Sequence, residues 1–168
     1  TYRMDPKEGF FLNGAYTDLR GVNYHQDSYE NGWAMTDSQR ERDYKMILDM
    51  GCTSVRMAHY QHDGYEYDLC DRLGLTVWTE IGIVNKMSAD DSEAHKLSEG
   101  FAENAKTQLI ELIRQNYNHP SVIVWGISNE LHQMTDKIYG LYADLRALAK
   151  REDETRYTTF ADAQFWGK

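Results

Sequence analysis

Two adjacent polar residues, Asn129 and Glu130, stand directly after an apolar run at residues 122–127. The run is rich in Val and Ile and holds no charge, so it predicts a fully buried parallel strand that ends at the polar pair. In a (β/α)₈ barrel that end of a strand carries the catalytic side chains, and a carboxyl group there can exchange protons with a substrate. Glu130 is therefore a candidate catalytic residue. The simpler alternatives are that Glu130 caps the next helix or pairs with a neighbouring Arg.

The segments around this strand alternate between strand and helix, which predicts a parallel sheet with helical crossovers. Asn13-Gly14 between apolar flanks predicts a short entry hairpin. Five strands should follow it, at residues 19–25, 53–57, 75–78, 122–127 and 157–163. The fold class is therefore α/β: a partial (β/α)₈ TIM barrel of about five strands and four helices, preceded by a short β-hairpin.

Four stripes of apolar residues at helical spacing predict the helices of this fold. The first helix should begin at a capping box formed by Thr36 and Gln39, and the first two should end at Gly51 and Gly74. The buried faces should contain Tyr44, Ile47 and Leu48; Tyr65, Leu69 and Leu73; Phe101, Ala105, Leu109, Leu112 and Ile113; and Ile138, Leu141, Tyr142 and Leu145.

The last polar residues of the predicted strands should meet at one rim, because parallel strands end on the same side of a sheet. They are His25, Arg56, His59, Glu80, Asn129 and Glu130. A sugar site needs such a set, since each hydroxyl group requires a fixed donor or acceptor and the reacting centre requires carboxyl groups. The histidines could instead be core residues bonded to backbone groups, and Arg56 could anchor the rim through Glu80.

The string NHPSV at residues 118–122, with Trp125 and the Asn129-Glu130 pair, resembles the acid/base signature of glycoside hydrolase family 2. The resemblance continues in LRGVNYHQD at residues 19–27, VRMAHY at 55–60 and LCDRLGL at 69–75. It implies a retaining exo-β-glycosidase in which Glu130 is the general acid/base. The loop at residues 23–27 is most similar to the β-galactosidase branch, so β-galactosidase is the expected activity.

The same resemblance implies substrate contacts for several strand-end residues. Asn129 should hydrogen-bond the sugar 2-hydroxyl, and His25 and His59 should contact other hydroxyl groups. Arg56 should lie beside the carboxylate of the nucleophile and keep that group ionised. The full set of expected substrate-binding residues is Asn129, His25, His59, Arg56, Asp27 and Glu80.

The second carboxyl group of the mechanism is not expected in this chain. Retaining hydrolysis needs a nucleophile about 5–5.5 Å from the acid/base, and the resemblance places it on the seventh barrel strand. A complete barrel takes roughly 250 residues, whereas this chain has 168. We therefore expect residues 1–168 to be the N-terminal part of a glycosidase barrel, truncated after the fifth strand and inactive alone. Its open sheet edges should favour self-association.

Charge and composition argue against several other partners. The net charge of −9 and the lack of a Lys/Arg cluster disfavour nucleic acid. No apolar run is long enough for a membrane span and no signal peptide is visible. Because the chain starts at Thr1 rather than Met, its compartment, cytoplasmic or periplasmic, stays open.

No cofactor or metal ion is expected. Val84 and Lys86 stand where large bacterial β-galactosidases carry Glu and His ligands, and His59 with His62 is a weak metal motif. Cys52 and Cys70 are predicted to be packed, reduced thiols.

Two other functions stay open. The chain could be a non-catalytic carbohydrate-binding half-barrel, or it could belong to a β-glucuronidase or β-mannosidase of the same family. A doubly wound nucleotide-binding domain is disfavoured, because no Gly-rich phosphate loop follows any strand.

Overall fold

The structure, a computed structural model, describes residues 1–84, 99–131 and 136–162. Strands and helices alternate after an initial run of strands. The order is β1 (Tyr2–Asp5), β2 (Gly9–Leu12), β3 (Ala15–Tyr16), β4 (Gly21–Tyr24), α1 (Asp37–Asp49), β5 (Ser54–Met57), α2 (Gly64–Leu73), β6 (Thr76–Glu80), α3 (Glu99–Asn116), β7 (Val122–Asn129), α4 (Asp136–Glu152) and β8 (Tyr157–Ala161).

The first sheet is antiparallel, with the strand order β1-β2-β3. The predicted hairpin is its β2–β3 pair, and Asn13 and Gly14 form the turn with φ values of 51° and 84°. Strand β1 was not predicted. It pairs with β2 from Tyr2↔Leu12 to Asp5↔Gly9, and the Tyr2 hydroxyl donates to the Ile123 carbonyl at 2.9 Å.

The second sheet is parallel and has five strands in the order β4-β5-β6-β7-β8. This confirms the predicted partial TIM barrel with five strands and four helices after the hairpin. Strands β4 and β5 approach closely at Gly21, where an added Cβ would lie 3.0 Å from the Ser54 carbonyl oxygen. Only glycine fits this position without displacing β5.

Strand ends differ from the predicted ones by at most two residues. Strand β4 is shorter than residues 19–25, while β7 extends beyond Ile127 to Asn129. Strand β8 ends at Ala161, and the predicted end at Ala163 lies outside the described residues. Most of the predicted loop at 82–99 also lies outside them.

The chain divides into two compact units, and each is described separately. The first comprises Thr1–Met57, His62–Trp78 and His119–Ile123; the second comprises Ala58–Gln61, Thr79–Asn118 and Val124–Lys168. Strands β6 and β7 contribute residues to both.

Helices α1 and α2 of the first unit share a buried polar contact. The predicted capping box is present: the Thr36 side chain accepts from the Gln39 backbone N–H, and the Gln39 side chain accepts from the Thr36 N–H. Arg40 of α1 lies 3.4 Å from the fully buried carboxylate of Glu66 on α2. The contact with Arg40 accounts for the inward orientation of Glu66. The prediction that Leu73 is buried on the same helix is wrong, because Leu73 is 38 % exposed.

The second unit is held together by α3, α4 and the C-terminal half of β7. The predicted apolar residues of α4 are all buried. Those of α3 are also buried, except for Phe101 in the first turn, which is 41 % exposed. The inner face of α3 is formed by Leu109, Leu112 and Ile113. Trp125 of β7 donates its indole N–H to Asp153 at 3.0 Å, just after α4.

Two further predictions concern cysteines and membranes. Cys52 and Cys70 are both free, and burial raises the pKa of the Cys70 thiol well above its ordinary value, so this thiol stays protonated. Among the described residues, none of the helices combines the length and apolar character that crossing a bilayer requires.

Candidate active site

Strand β7 presents Glu130 as predicted. All eight residues from Val122 to Asn129 are buried, and Glu130, the next residue, is exposed. Its backbone is left-handed with φ of 51°, an unusual conformation for a residue with a Cβ. The backbone N–H of Glu130 donates to the Ala161 carbonyl of β8 at 2.9 Å. The extended backbone of β7 therefore stops at Asn129, directly before Glu130.

Asn129 lies at the junction between the ends of β6 and β7. Its backbone N–H donates to the Ile83 carbonyl at 2.7 Å, and it forms a parallel bridge with Val84. Ile81, just after β6, donates to the Gly126 carbonyl at 3.2 Å. These bonds place the carboxyl ends of β6 and β7 side by side. Asn129 keeps only 4 % exposure, so its contact with a 2-hydroxyl group stays a prediction.

His59 and Glu80 form a pair within the same unit. The His59 Nδ1 atom lies 3.1 Å from a Glu80 carboxylate oxygen. The Glu80 side chain has no exposure, while the His59 side chain is 23 % exposed. The imidazole therefore lies between the buried carboxylate and solvent.

The other predicted site residues, His25, Asp27 and Arg56, belong to the first unit. His25 and Asp27 are exposed in the loop after β4, where the Asp27 N–H donates to the His25 carbonyl at 2.9 Å. Arg56 donates to the Asn23 side chain at 3.3 Å, and its guanidinium lies 4.6 Å from the centre of the Trp78 ring. The stack of Arg56 on Trp78 was not predicted. A signal for it exists in the sequence: alternate residues of a strand share a face, so Trp78 should lie on the same face of β6 as Glu80, through which Arg56 could anchor the rim.

The two histidines of the weak metal motif each have a carboxylate neighbour of their own. His59 is bonded to Glu80, and His62 is buried with its Nδ1 atom 2.7 Å from Glu66. In the described part of the chain, three other groups, Asp68, Asp71 and His119, bring ligand atoms within 4.8 Å of one another.

Asp71 already has structural partners in that second group. One of its carboxylate oxygens lies 2.7 Å from His119 Nδ1, and the other accepts from the Ser121 N–H at 2.9 Å. These contacts tie α2 to the turn before β7. They give His119 the structural role that a sequence motif alone does not reveal.

The fold and this geometry agree with the comparisons to known proteins. The family model described as "Glycosyl hydrolases family 2, TIM barrel domain" matches residues 5–166. The chain belongs to glycoside hydrolase family 2. The family resemblance inferred from the sequence is thereby confirmed.

Several family 2 relatives are similar over nearly all of the chain. A β-glucuronidase from Bacteroides fragilis is 46 % identical over 164 residues, which are 97 % of this chain and 23 % of that protein. The crystal structure of an FMN-binding β-glucuronidase from Faecalibacterium prausnitzii has 37 % identity and a TM-score of 0.89, covering 99 % of this chain and 25 % of that one. A β-galactosidase from Bacteroides ovatus is 35 % identical over 137 residues, 81 % of this chain and 16 % of that protein.

The chain thus spans about a quarter or less of the length of these family 2 relatives. Both glucuronidases and galactosidases occur among them, so the family membership does not single out the β-galactosidase activity predicted from the loop at residues 23–27.

Proposed function

We propose that this chain supplies the acid/base side of a retaining β-glycosidase, with Glu130 as the proton donor to the leaving oxygen. The observation that carries the proposal is the exposure of Glu130 directly after eight buried strand residues. Asn129 is the last residue of β7, and Glu80, which ends the adjoining strand β6, supports His59. Asn129 and His59 would bind hydroxyl groups. Arg56, His25 and Asp27 would complete the substrate-binding set.

The nucleophile of this mechanism would come from outside the 168 residues. Glu80, the acidic residue at the end of β6, is fully buried against His59 and therefore unsuited to attack an anomeric carbon. The chain by itself should not hydrolyse glycosides. Turnover of a nitrophenyl β-glycoside by the isolated chain, at rates typical of the natural enzymes, would overturn this part of the proposal.

The substrate class that we favour is a terminal β-glucuronide. The B. fragilis and F. prausnitzii relatives, at 46 % and 37 % identity, are β-glucuronidases, while the B. ovatus β-galactosidase is 35 % identical over a shorter stretch. A β-galactoside, as predicted from the sequence, is the second candidate, because the loop at residues 23–27 resembles that branch.

The natural protein that carries these residues would be assayed with nitrophenyl β-glucuronide and nitrophenyl β-galactoside. The glucuronide should be the better substrate by kcat/KM. For an alkyl β-glucuronide, whose leaving group needs a proton, E130Q should reduce kcat/KM by about 10²–10⁴-fold, the usual contribution of a general acid. The matched control E154Q, at an exposed residue after α4, should leave the rate unchanged. Equal activity of E130Q and E154Q would contradict the role of Glu130.

A further inference from the structure

The pair formed by His59 and Glu80 bears on which nitrogen of the imidazole carries the proton. A neutral imidazole has one N–H donor and one acceptor nitrogen, and the partner of one nitrogen decides the state of the other. Here Nδ1 faces a carboxylate oxygen at 3.1 Å. An ionised carboxylate can only accept hydrogen bonds, so it selects the form with the proton on Nδ1.

We infer that Glu80 is a positioning residue that selects the Nδ1–H tautomer whenever the His59 imidazole carries a single proton, which makes Nε2 the nitrogen that accepts a hydrogen bond from a substrate hydroxyl group. This inference rests on the proposed function for its substrate, whereas the tautomer itself is a property of the free chain. It assigns Glu80 an indirect role in place of the direct substrate contact expected from the sequence.

The burial of the two side chains supports this division of roles. The Glu80 side chain has no exposure and cannot meet a ligand from solvent, whereas 23 % of the His59 side chain remains accessible. Glu80 also ends strand β6, a rigid element, so its carboxylate is held in place by the sheet. A carboxylate fixed in this way orients the ring as well as its proton.

The tautomer also has a consequence for ligand chemistry. With Nε2 as an acceptor, neutral His59 favours a hydroxyl group, which can donate. It disfavours a sugar carboxylate, which only accepts. In a β-glucuronide, His59 would therefore contact ring hydroxyls, and the uronate group would be bound by other residues.

The direct test is ¹⁵N NMR of the 168-residue chain labelled at its histidines, with the His59 signals assigned from an H59Q sample. Two-bond ¹⁵N–¹H spectra separate protonated from unprotonated ring nitrogens. We expect a protonated Nδ1 and an unprotonated Nε2 for His59 in its neutral state. An Nε2–H tautomer in the wild-type chain would overturn the inference, and this outcome requires no variant to fold.

E80Q should weaken the selection and give a mixture of tautomers, because a Gln amide can donate as well as accept. The matched control is E66Q, which alters a second His–Glu pair, His62 with Glu66, whose side chains are both fully buried. E66Q should leave the His59 signals unchanged. An E80Q spectrum identical to wild type would count against Glu80 as the cause of the tautomer.

In the natural protein, E80Q should raise KM for the glycoside by about tenfold, roughly the value of one hydrogen bond, with a smaller effect on kcat. If the protein shows no glycosidase activity while the Nδ1–H tautomer is present, the proposed function fails and the tautomer assignment stands. A normal KM in E80Q together with an altered tautomer would refute the link from tautomer to substrate binding.

Discussion

Glu130 combines an exposed carboxyl group with a left-handed backbone. Residues with a Cβ pay roughly 1–2 kcal/mol for this conformation, and such strain tends to accumulate at functional sites. At φ of 51°, Glu130 and Asn13 are the only non-glycine residues with positive φ among those that the structure describes. Asn13 lies in the tight β2–β3 turn, which favours a left-handed backbone, whereas Glu130 follows a strand and is not part of such a turn.

The strain at Glu130 should be measurable as a difference between two glycine substitutions. E130G removes the Cβ where the backbone is left-handed, and E154G removes it at an exposed residue outside the positive-φ set. Both add the same freedom to the unfolded chain, so E130G should leave the protein about 1 kcal/mol or more stable than E154G. Urea unfolding of the two variants measures this difference. Equal losses of stability would show that Glu130 carries no strain.

The pKa of the Asp153 carboxyl group is lowered from an ordinary value of 3.8 to about 2. Burial opposes the ionised form, but hydrogen bonds from Thr155, Arg156 and Trp125 outweigh it. A depressed folded-state pKa adds stability above the unfolded-state pKa, and this stability is lost as the pH falls from about 4 to about 2.

D153N should therefore flatten the acid limb of the stability curve. Its free energy of unfolding should be lower than that of wild type near neutral pH and should change less between about pH 4 and about pH 2. Denaturant titrations at a series of pH values measure this, with E111Q at an exposed position of α3 as the control. A D153N curve parallel to that of wild type would contradict the assignment.

At the scale of elements, Asp71 connects two of the sequence motifs that carried the family resemblance. It lies in LCDRLGL on α2 and binds His119 and Ser121 of NHPSV before β7. Because β7 ends at Asn129, directly before Glu130, this contact helps to set the position of the strand that precedes the proposed acid/base.

D71A should destabilise the protein by about 1–3 kcal/mol, since it leaves a half-buried imidazole and a backbone N–H without their acceptor. The exposed Asp68, on the same helix and 4.0 Å from His119, offers the matched control D68A. Chemical denaturation should show a clearly larger loss for D71A. If both variants lose the same stability, the Asp71 contacts do not hold the turn.

The predictability of the elements depended on whether their signals are local. The capping box at Thr36, the Asn13-Gly14 turn and the apolar run of β7 are local patterns, and all three were predicted correctly. Strand β1 depends on its pairing with β2, and the inward turn of Glu66 depends on Arg40 of another helix. Contacts of this kind are set by tertiary structure and leave no periodic signal in the sequence.

In the candidate site, too, the features with a local sequence signal could be predicted and those set by tertiary contacts could not. The exposed position of Glu130 could be predicted from a buried strand that ends in polar residues. The pairing of His59 with Glu80 and the stack of Arg56 on Trp78 could not, because they join side chains that are 21 and 22 positions apart in the sequence.

For the whole molecule, the five-stranded sheet of the described residues ends at β4 on one side and β8 on the other. Open edges favour pairing with another chain, so we propose that the isolated chain self-associates. The net charge of −9 opposes association at low ionic strength, and added salt should therefore increase it.

Light scattering should show a concentration-dependent mass above the monomer value of 19.6 kDa. T159K, which places a charge on β8, should reduce the association, whereas T107K on the exposed side of α3 should not. A monomer at every protein and salt concentration would disprove the proposal.

The role of Glu130 as proton donor is tested most directly by varying the leaving group. In the natural protein, E130Q should slow hydrolysis of a simple alkyl β-glycoside by about 10²–10⁴-fold. Formation of the glycosyl-enzyme from a dinitrophenyl glycoside, measured as a burst of released dinitrophenol, should be nearly unaffected, since that leaving group needs no proton. Equal losses for both substrates, or none for either, would contradict Glu130 as the general acid.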